Sequence, residues 1–295
     1  VKPTSTLIPI DGPAVRPISP GPDEVIAFRA AILEHYLTHG RDLPWRRTRD
    51  PYKVLVSEMM LQQTQVGRVI EKYGPFVERF GDFTALAGAP LVEVLALWKG
   101  LGYNRRALFL SKIARIVVDY HGGVLPESPQ ELARLPGIGP NTAGAIAAFA
   151  FNRPVVFVET NIRAVFIHRF FEGSDRVRDD EILPLVAATL DREDPRRWYW
   201  ALMDYGAALK AQGKNPGRRS AHYVRQAPFW GSDREIRGAI LGLLIRADAD
   251  NGGDGLTGRT IVSTLTMDAA RIRKNLAALI DEGFIVKVGR HYRIR

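Results

Sequence analysis

From Val25 to about Leu209 the chain repeats one pattern: apolar residues at i, i+3, i+4 and i+7, with no alternating, strand-like stretch between them. AFRAAILEHYL, DPYKVLVSEMMLQQTQVGRVIEKYGPFVERF, LVEVLALWKG, ALFLSKIARIVVDYH, PQELARL, NTAGAIAAFAF, ETNIRAVFIHRFF and EILPLVAATL all carry it. Gly or Pro separates them at Pro75, Gly81, Gly100–Gly102, Gly122–Gly123, Pro136–Pro140, Pro154 and Pro195. A chain patterned this way buries its apolar stripes by packing short helices on one another, so the fold class is mainly α.

Two other stretches break the pattern. Residues 1–24 are proline-rich and lack a secretory-type apolar segment, which reads as an irregular N-terminal arm. Residues 210–232, KAQGKNPGRRSAHYVRQAPFWGS, are polar, basic and poorly periodic, as a linker or irregular lobe would be. A second unit follows over residues 233–295. DREIRGAILGLLIRA, GRTIVSTL and TMDAARIRKNLAALIDEG read as three helices, the last capped by Thr266 or Asp268, and FIVKV–GR–HYRIR reads as a β-hairpin. This is a small winged-helix-like module, with Arg271, Arg273 and Lys274 on its recognition helix and Lys287, Arg290, Arg293 and Arg295 on its wing. The alternative is a dimerisation or docking domain with a solvated basic face.

Charge narrows the partner. Lys and Arg number 41 against 32 Asp and Glu, a net charge of +9, which favours a polyanion. No apolar run approaches the ~20 residues of a membrane span, so the expectation is a cytoplasmic, nucleoid-associated protein without a membrane partner. The absence of cysteine excludes disulfides, thiolate zinc sites, cysteine-ligated iron–sulfur clusters and a cysteine nucleophile.

ELARLPGIGPNTAGAI, residues 131–146, reads as helix, tight turn, helix. Gly137 and Gly139 permit positive φ or close backbone approach, and Pro140 suits a helix start. The N–H groups from Gly137 to Ala143, Thr142 included, then converge at the positive end of a helix. They form a phosphate site indifferent to base identity.

L-P-G-I-G-x-x-T-A followed by V-E-T-N-I-R-A-V resembles the helix–hairpin–helix (HhH-GPD) DNA glycosylase superfamily. Within it, LPWRRTRDPYKVLVSEMMLQQTQV (Leu43–Val66), WKGLGYNRRALFL (Trp98–Leu110) and ALMDYGAAL (Ala201–Leu209) are similar to the adenine DNA glycosylases of MutY type. The resemblance covers roughly residues 25–209 and implies a two-lobed helix–hairpin–helix glycosylase fold. It also implies base excision through an oxocarbenium-like transition state, served by two carboxylates and no metal. Glu58 lies in an apolar helical stretch that raises a carboxyl pKa, and the resemblance makes it the acid that protonates the adenine ring. Glu159 stands where the family has Asp; it would stabilise the sugar cation or activate water, or else serve as a helix-capping acid. Asn161 matches an Asn near the reaction centre.

Other roles are implied by the same resemblance. Asn141 stands where bifunctional members carry a Schiff-base Lys, so a monofunctional hydrolase is expected. Gln62 and Gln63 match residues that wedge into the duplex when a base is flipped out. Trp45 and Arg46 match the adenine-pocket segment, although Trp45 reads equally well as core. Trp200 replaces a Glu or Gln that contacts the flipped base, leaving base identity open.

Where the family carries four cluster-ligating cysteines, this chain has Lys210, Gly217, Ser220 and Gln226. Lys210, Lys214, Arg218 and Arg219 can keep that lobe facing DNA without the cluster. The family's 8-oxoguanine-reading β-rich domain has no expected counterpart. No cofactor is expected beyond a monovalent cation at the hairpin. The expected partner is double-stranded DNA holding a mismatch or lesion, bound by a monomer. The leading function is a base-excision glycosylase with adenine as first target. Removal of uracil, thymine or hypoxanthine, or damage binding without turnover, is the alternative.

Overall fold

A computed structural model describes residues 20–295. Of the expected N-terminal arm, residues 1–19 lie outside the described residues, and Pro22 already opens the first helix. In chain order the helices are α1 (Pro22–His39), α2 (Pro51–Leu61), α3 (Val66–Arg79), α4 (Phe83–Gly88), α5 (Leu91–Trp98), α6 (Arg105–His121) and α7 (Pro129–Leu132). They continue with α8 (Pro140–Phe151), α9 (Thr160–Phe170), α10 (Asp179–Thr189) and α11 (Pro195–Ala211). The C-terminal elements are α12 (Asp233–Asn251), β1 (Leu256–Thr257), α13 (Gly258–Leu265), α14 (Ala269–Asp281), β2 (Ile285–Val288) and β3 (His291–Ile294).

The glycosylase-like part has two lobes. One is built from the two sequence ends of this part: α1 packs on α10 and α11, and α9 lies against α10 and α11. Phe28 of α1 holds it together through edge-on or tilted ring contacts with Phe166, Phe170 and Trp198, at 5.2–5.9 Å between centroids. The other lobe runs from α2 to α8 around Tyr52, Phe76, Phe80, Phe83 and Trp98, with α2 packed on α8.

The periodic stretch DPYKVLVSEMMLQQTQVGRVIEKYGPFVERF is not one helix. It breaks at Gln62–Gln65, where Gln63 takes a φ of 53°. The cause is long-range. The buried Arg106 guanidinium of α6 donates to the carbonyls of Met59, Met60 and Gln62, which would otherwise accept from the next helical turn. Helix α4 escapes the periodicity because it has only six residues; its local signal is Asp82, whose carboxylate caps the N–H of Ala85 at 2.8 Å.

In the C-terminal module the strands pair antiparallel in the order β1-β3-β2, and Asp268 caps α14 through the N–H of Arg271 at 2.7 Å. Its core is Ile236, Ile240, Leu244, Ile261, Ile272, Leu279 and Phe284, all buried. The two-residue β1 is too short for any alternation to show. The module docks on the rest of the chain through α12 against α5. Arg105 and Arg237 share Glu282 at 2.8 and 2.6 Å.

Residues 210–232 are partly ordered into the lobe. A 3-10 turn at Pro216–Arg219 lies against α9, and Val177 bridges Ser220. Arg219 donates to the carbonyls of Ile167 and Phe171 and so closes the C-terminus of α9. It is a structural cation, in place of the DNA-facing one expected; Lys214 and Arg218 are the exposed pair.

Candidate active site

Helix α2 carries Glu58 into the space that the N-terminus of α9 closes from the other side. Pro51 and the Asp50 cap, which accepts from the Tyr52 N–H at 2.9 Å, start α2 where its apolar residues face inward. Glu58 is half-buried, and burial is the main force on its carboxyl. The neighbouring Glu159 charge adds to it and the Arg46 guanidinium opposes it, leaving the pKa pushed up to about 8. Glu58 is therefore protonated at neutral pH.

Glu159 is the N-cap of α9. Its Oε1 accepts from the N–H groups of Asn161 (2.6 Å) and Ile162 (2.8 Å), and its Oε2 from Asn161 Nδ2 (3.3 Å). The capping reading and the electrostatic reading therefore coexist in one side chain. Burial raises the Glu159 pKa, while the cap bonds and the charges of Lys210 and Arg163 pull it back. Asn161 Oδ1 accepts from Lys210 Nζ at 2.8 Å, which turns its amide NH2 toward Glu159. Gly206 makes this possible: α11 crosses α9 so closely that a Cβ there would sit 2.4 Å from the Asn161 carbonyl oxygen.

Arg46 is fixed beside this pair. Its guanidinium meets Asp204 in a two-pronged contact of 2.7 and 2.8 Å and lies 5.5 Å from the Trp200 ring centroid. Asp204 is 3% exposed and also accepts from Arg41 Nε (2.7 Å) and the Arg41 N–H (2.8 Å). Burial alone would raise its pKa; the two arginines hold it below the usual carboxylate range. The sequence reading missed Asp204, although an acid inside the apolar ALMDYGAAL helix was a signal for a buried cation partner. Trp200 is half-buried and stacks on Phe149 at 5.9 Å. Trp45 is 6% exposed and edge-on to Tyr73, a core position behind the cleft.

The LPGIG turn has a narrower donor set than expected. Ile138 donates to Leu135 and Ala143 to Gly139, and Pro140 has no N–H. The N–H groups of Gly137, Gly139, Asn141 and Thr142 have no acceptor among the described residues. Gly137 sits at a φ of 76° with Phe109 2.3 Å from where a Cβ would be, so only glycine fits. Gly139 is extended, at a φ of −87°, with open space around it. Gln62 Nε2 donates to the Gly137 carbonyl (3.2 Å) and Thr142 Oγ1 (3.3 Å), joining the 62–65 turn to the hairpin. Gln63 stays exposed at the tip. Asn141 Oδ1 accepts weakly from the Val158 N–H at 3.5 Å, one residue before Glu159.

Arg106, also unforeseen, braces the turn. Besides the α2 carbonyls it donates to Thr64 Oγ1 and the Gly102 carbonyl, both at 2.9 Å, and burial lowers its pKa to about 10.

The three basic residues of α14 divide. Arg271 pairs with Asp233 at 2.7 Å and also donates to the Gly231 carbonyl, tying α14 to the start of α12. Arg273 and Lys274 are exposed. At the positions of the family's cluster ligands the residues do not fit a thiolate-held cluster. Lys210 is engaged with Asn161, Gly217 and Ser220 are buried, and Gln226 donates to Tyr103 Oη.

Comparison with known proteins follows this geometry. The profile of the HhH-GPD superfamily base excision DNA repair proteins matches residues 56–182. The adenine DNA glycosylase of Buchnera aphidicola subsp. Baizongia pistaciae is 39% identical over 189 residues, 62% of this chain and 53% of that protein. The human adenine DNA glycosylase is 38% identical over 63% of this chain and 36% of its own length. That of Mycolicibacterium smegmatis is 34% identical over 72% of this chain and 78% of its own. The chain thus aligns with between about a third and three quarters of these relatives' lengths. A solved thermostable thymine-DNA glycosylase superposes with a TM-score of 0.59 at 30% identity, covering 65% of this chain and 90% of that one. An endonuclease III–DNA complex, at 20% identity and a TM-score of 0.54, covers 64% and 89% and shares the fold.

Proposed function

We propose, since the chain belongs to the HhH-GPD superfamily of base excision DNA repair proteins, that it is a monofunctional DNA glycosylase hydrolysing adenine from a mispaired or damaged duplex site. One observation carries this: a carboxyl with a pKa of about 8, Glu58, sits beside a second carboxylate held by a helix N-terminus, Glu159.

The four free N–H groups of the hairpin grip the backbone of the strand bearing the target, and Gln63 enters the gap as the base leaves the stack. Glu58 gives its proton to a ring nitrogen of the extruded base. The N-glycosidic bond then breaks with its electron pair leaving on the base. The positive charge developing on the sugar is met by Glu159, which Asn161 and Lys210 hold in place. Water adds at the sugar carbon, and its proton passes to Glu159. Asn141 supplies no amine at the hairpin, which supports hydrolysis without strand cleavage.

The 30% identity to a solved thymine-DNA glycosylase supports a second target, a mispaired pyrimidine. Trp200 beside Arg46 leaves the base-binding wall without a side-chain acid or amide at that position. Release of free base from duplexes carrying adenine opposite 8-oxoguanine or guanine, thymine or uracil opposite guanine, and hypoxanthine decides between them. Adenine release is expected, without covalent trapping by borohydride. No release from any duplex, with Glu58→Gln indistinguishable from wild type, overturns the reading.

A further inference from the structure

A groove of about 940 Å³ lies away from Glu58 and Glu159, on the other side of the Gln62–Gln65 turn. Its walls are that turn, the Gly100–Arg106 loop and α12 of the C-terminal module, and Gly137 of the hairpin reaches its edge. Two of the five non-glycine residues with left-handed φ among the described residues stand in it, Gln63 (53°) and Tyr103 (47°). Such backbone is costly and persists only where its surroundings impose it.

The surroundings of Tyr103 come from the module. Its hydroxyl accepts from Arg234 Nη1 at 2.7 Å and from Gln226, and the Arg234 guanidinium lies 5.4 Å from its ring centroid. Beside this contact Phe229 and Trp230 pack edge to face while remaining 47% and 80% exposed. Cations dominate the lining: Arg68, Lys99, Arg105, Arg106, Arg234 and Arg237, against the single carboxylate of Glu282. Arg105 and Arg237 occupy Glu282, and Arg68 and Lys99 join no ion pair among the described residues. Open aromatic faces above a cationic floor suit a nucleobase with its phosphates.

The location selects the strand. If the hairpin holds the strand being repaired and Gln63 parts the duplex, the complementary strand must pass on the far side of the 62–65 turn, where the groove is. We propose that this groove binds the unpaired nucleotide opposite the excised base, and that the C-terminal module, through Arg234, Phe229 and Trp230, forms part of that binding site. This rests on the glycosylase reading for its orientation. It goes beyond that reading by giving residues 226–237 a role in sensing the opposite base.

The test places 2-aminopurine opposite a stable abasic analogue in a duplex and titrates it with the full chain. Wild type is expected to change the probe's emission severalfold. Trp230→Ala and Arg234→Gln should remove most of the change, and the same probe moved six base pairs away should not respond. In base-release assays the two variants should also flatten the difference in rate among the four opposite bases. Equal emission changes in wild type and both variants overturn the proposal. Absence of base release with the wild-type emission change present would instead overturn the glycosylase reading and leave the groove assignment standing.

Discussion

Arg46 and Asp204 join segments 158 residues apart through two parallel hydrogen bonds, and the joined pair forms one wall of the Glu58 cleft. Neither residue has an isolated role. Asp204 neutralises a guanidinium that the fold buries, and Arg46 sets the charge that Glu58 experiences.

Asp204→Asn should therefore be strongly destabilising. Removing one partner of a buried pair leaves the other charge uncompensated, at a cost of about 3–5 kcal/mol. Chemical denaturation should show a lower midpoint with an unchanged slope. A midpoint equal to wild type would mean that Arg46 and Arg41 are solvated in solution.

Glu58→Gln separates chemistry from stability. Base release should fall by about 10²- to 10⁴-fold, the usual worth of a general acid. The folded pKa of about 8 lies above the unfolded carboxyl value of 4.5. Between these two values the folded chain binds a proton that the unfolded chain has lost, so wild-type stability falls as pH rises through that window. The amide does not titrate. Thermal unfolding should find the variant more stable than wild type at pH 8, with the gap narrowing toward pH 5.

The rate should follow a bell-shaped pH profile. The alkaline limb, near pH 8, is loss of the Glu58 proton. The acid limb is protonation of Glu159, whose charged form Lys210 favours. Lys210→Met removes that charge and should move the acid limb to higher pH, leaving the alkaline limb near its place. A profile that falls in amplitude without moving would assign Lys210 to packing alone.

Gly137→Ala forces a side chain into a left-handed backbone and onto Phe109. DNA affinity should drop at least tenfold, and the slope of log Kd against log salt should become shallower as phosphate contacts are lost. Fluorescence anisotropy across a salt series measures both.

Much of this site is legible in the linear order of residues because it is local. The hairpin is written in LPGIGP, the acid in an apolar helical stretch, and the α14 cap in Asp268. What the sequence conceals is what distant segments do to one another. Arg106 breaks a helical pattern that is continuous in the sequence because its carbonyl partners are more than 40 residues upstream. Arg219 and Arg271 read as contacts for a polyanion, yet α9 and Asp233 engage them. A cation's sequence position gives its charge and not its partner.

Glu159 closes the first turn of α9 with the same carboxylate that faces the developing charge. The fold and the reaction therefore constrain this position jointly. Ser, Thr or Asn could close the turn but carries no charge, and a Gln supplies neither function well. Only the two acidic amino acids meet both demands. Natural drift here is confined to a single exchange, Asp for Glu, and this chain shows one side of it.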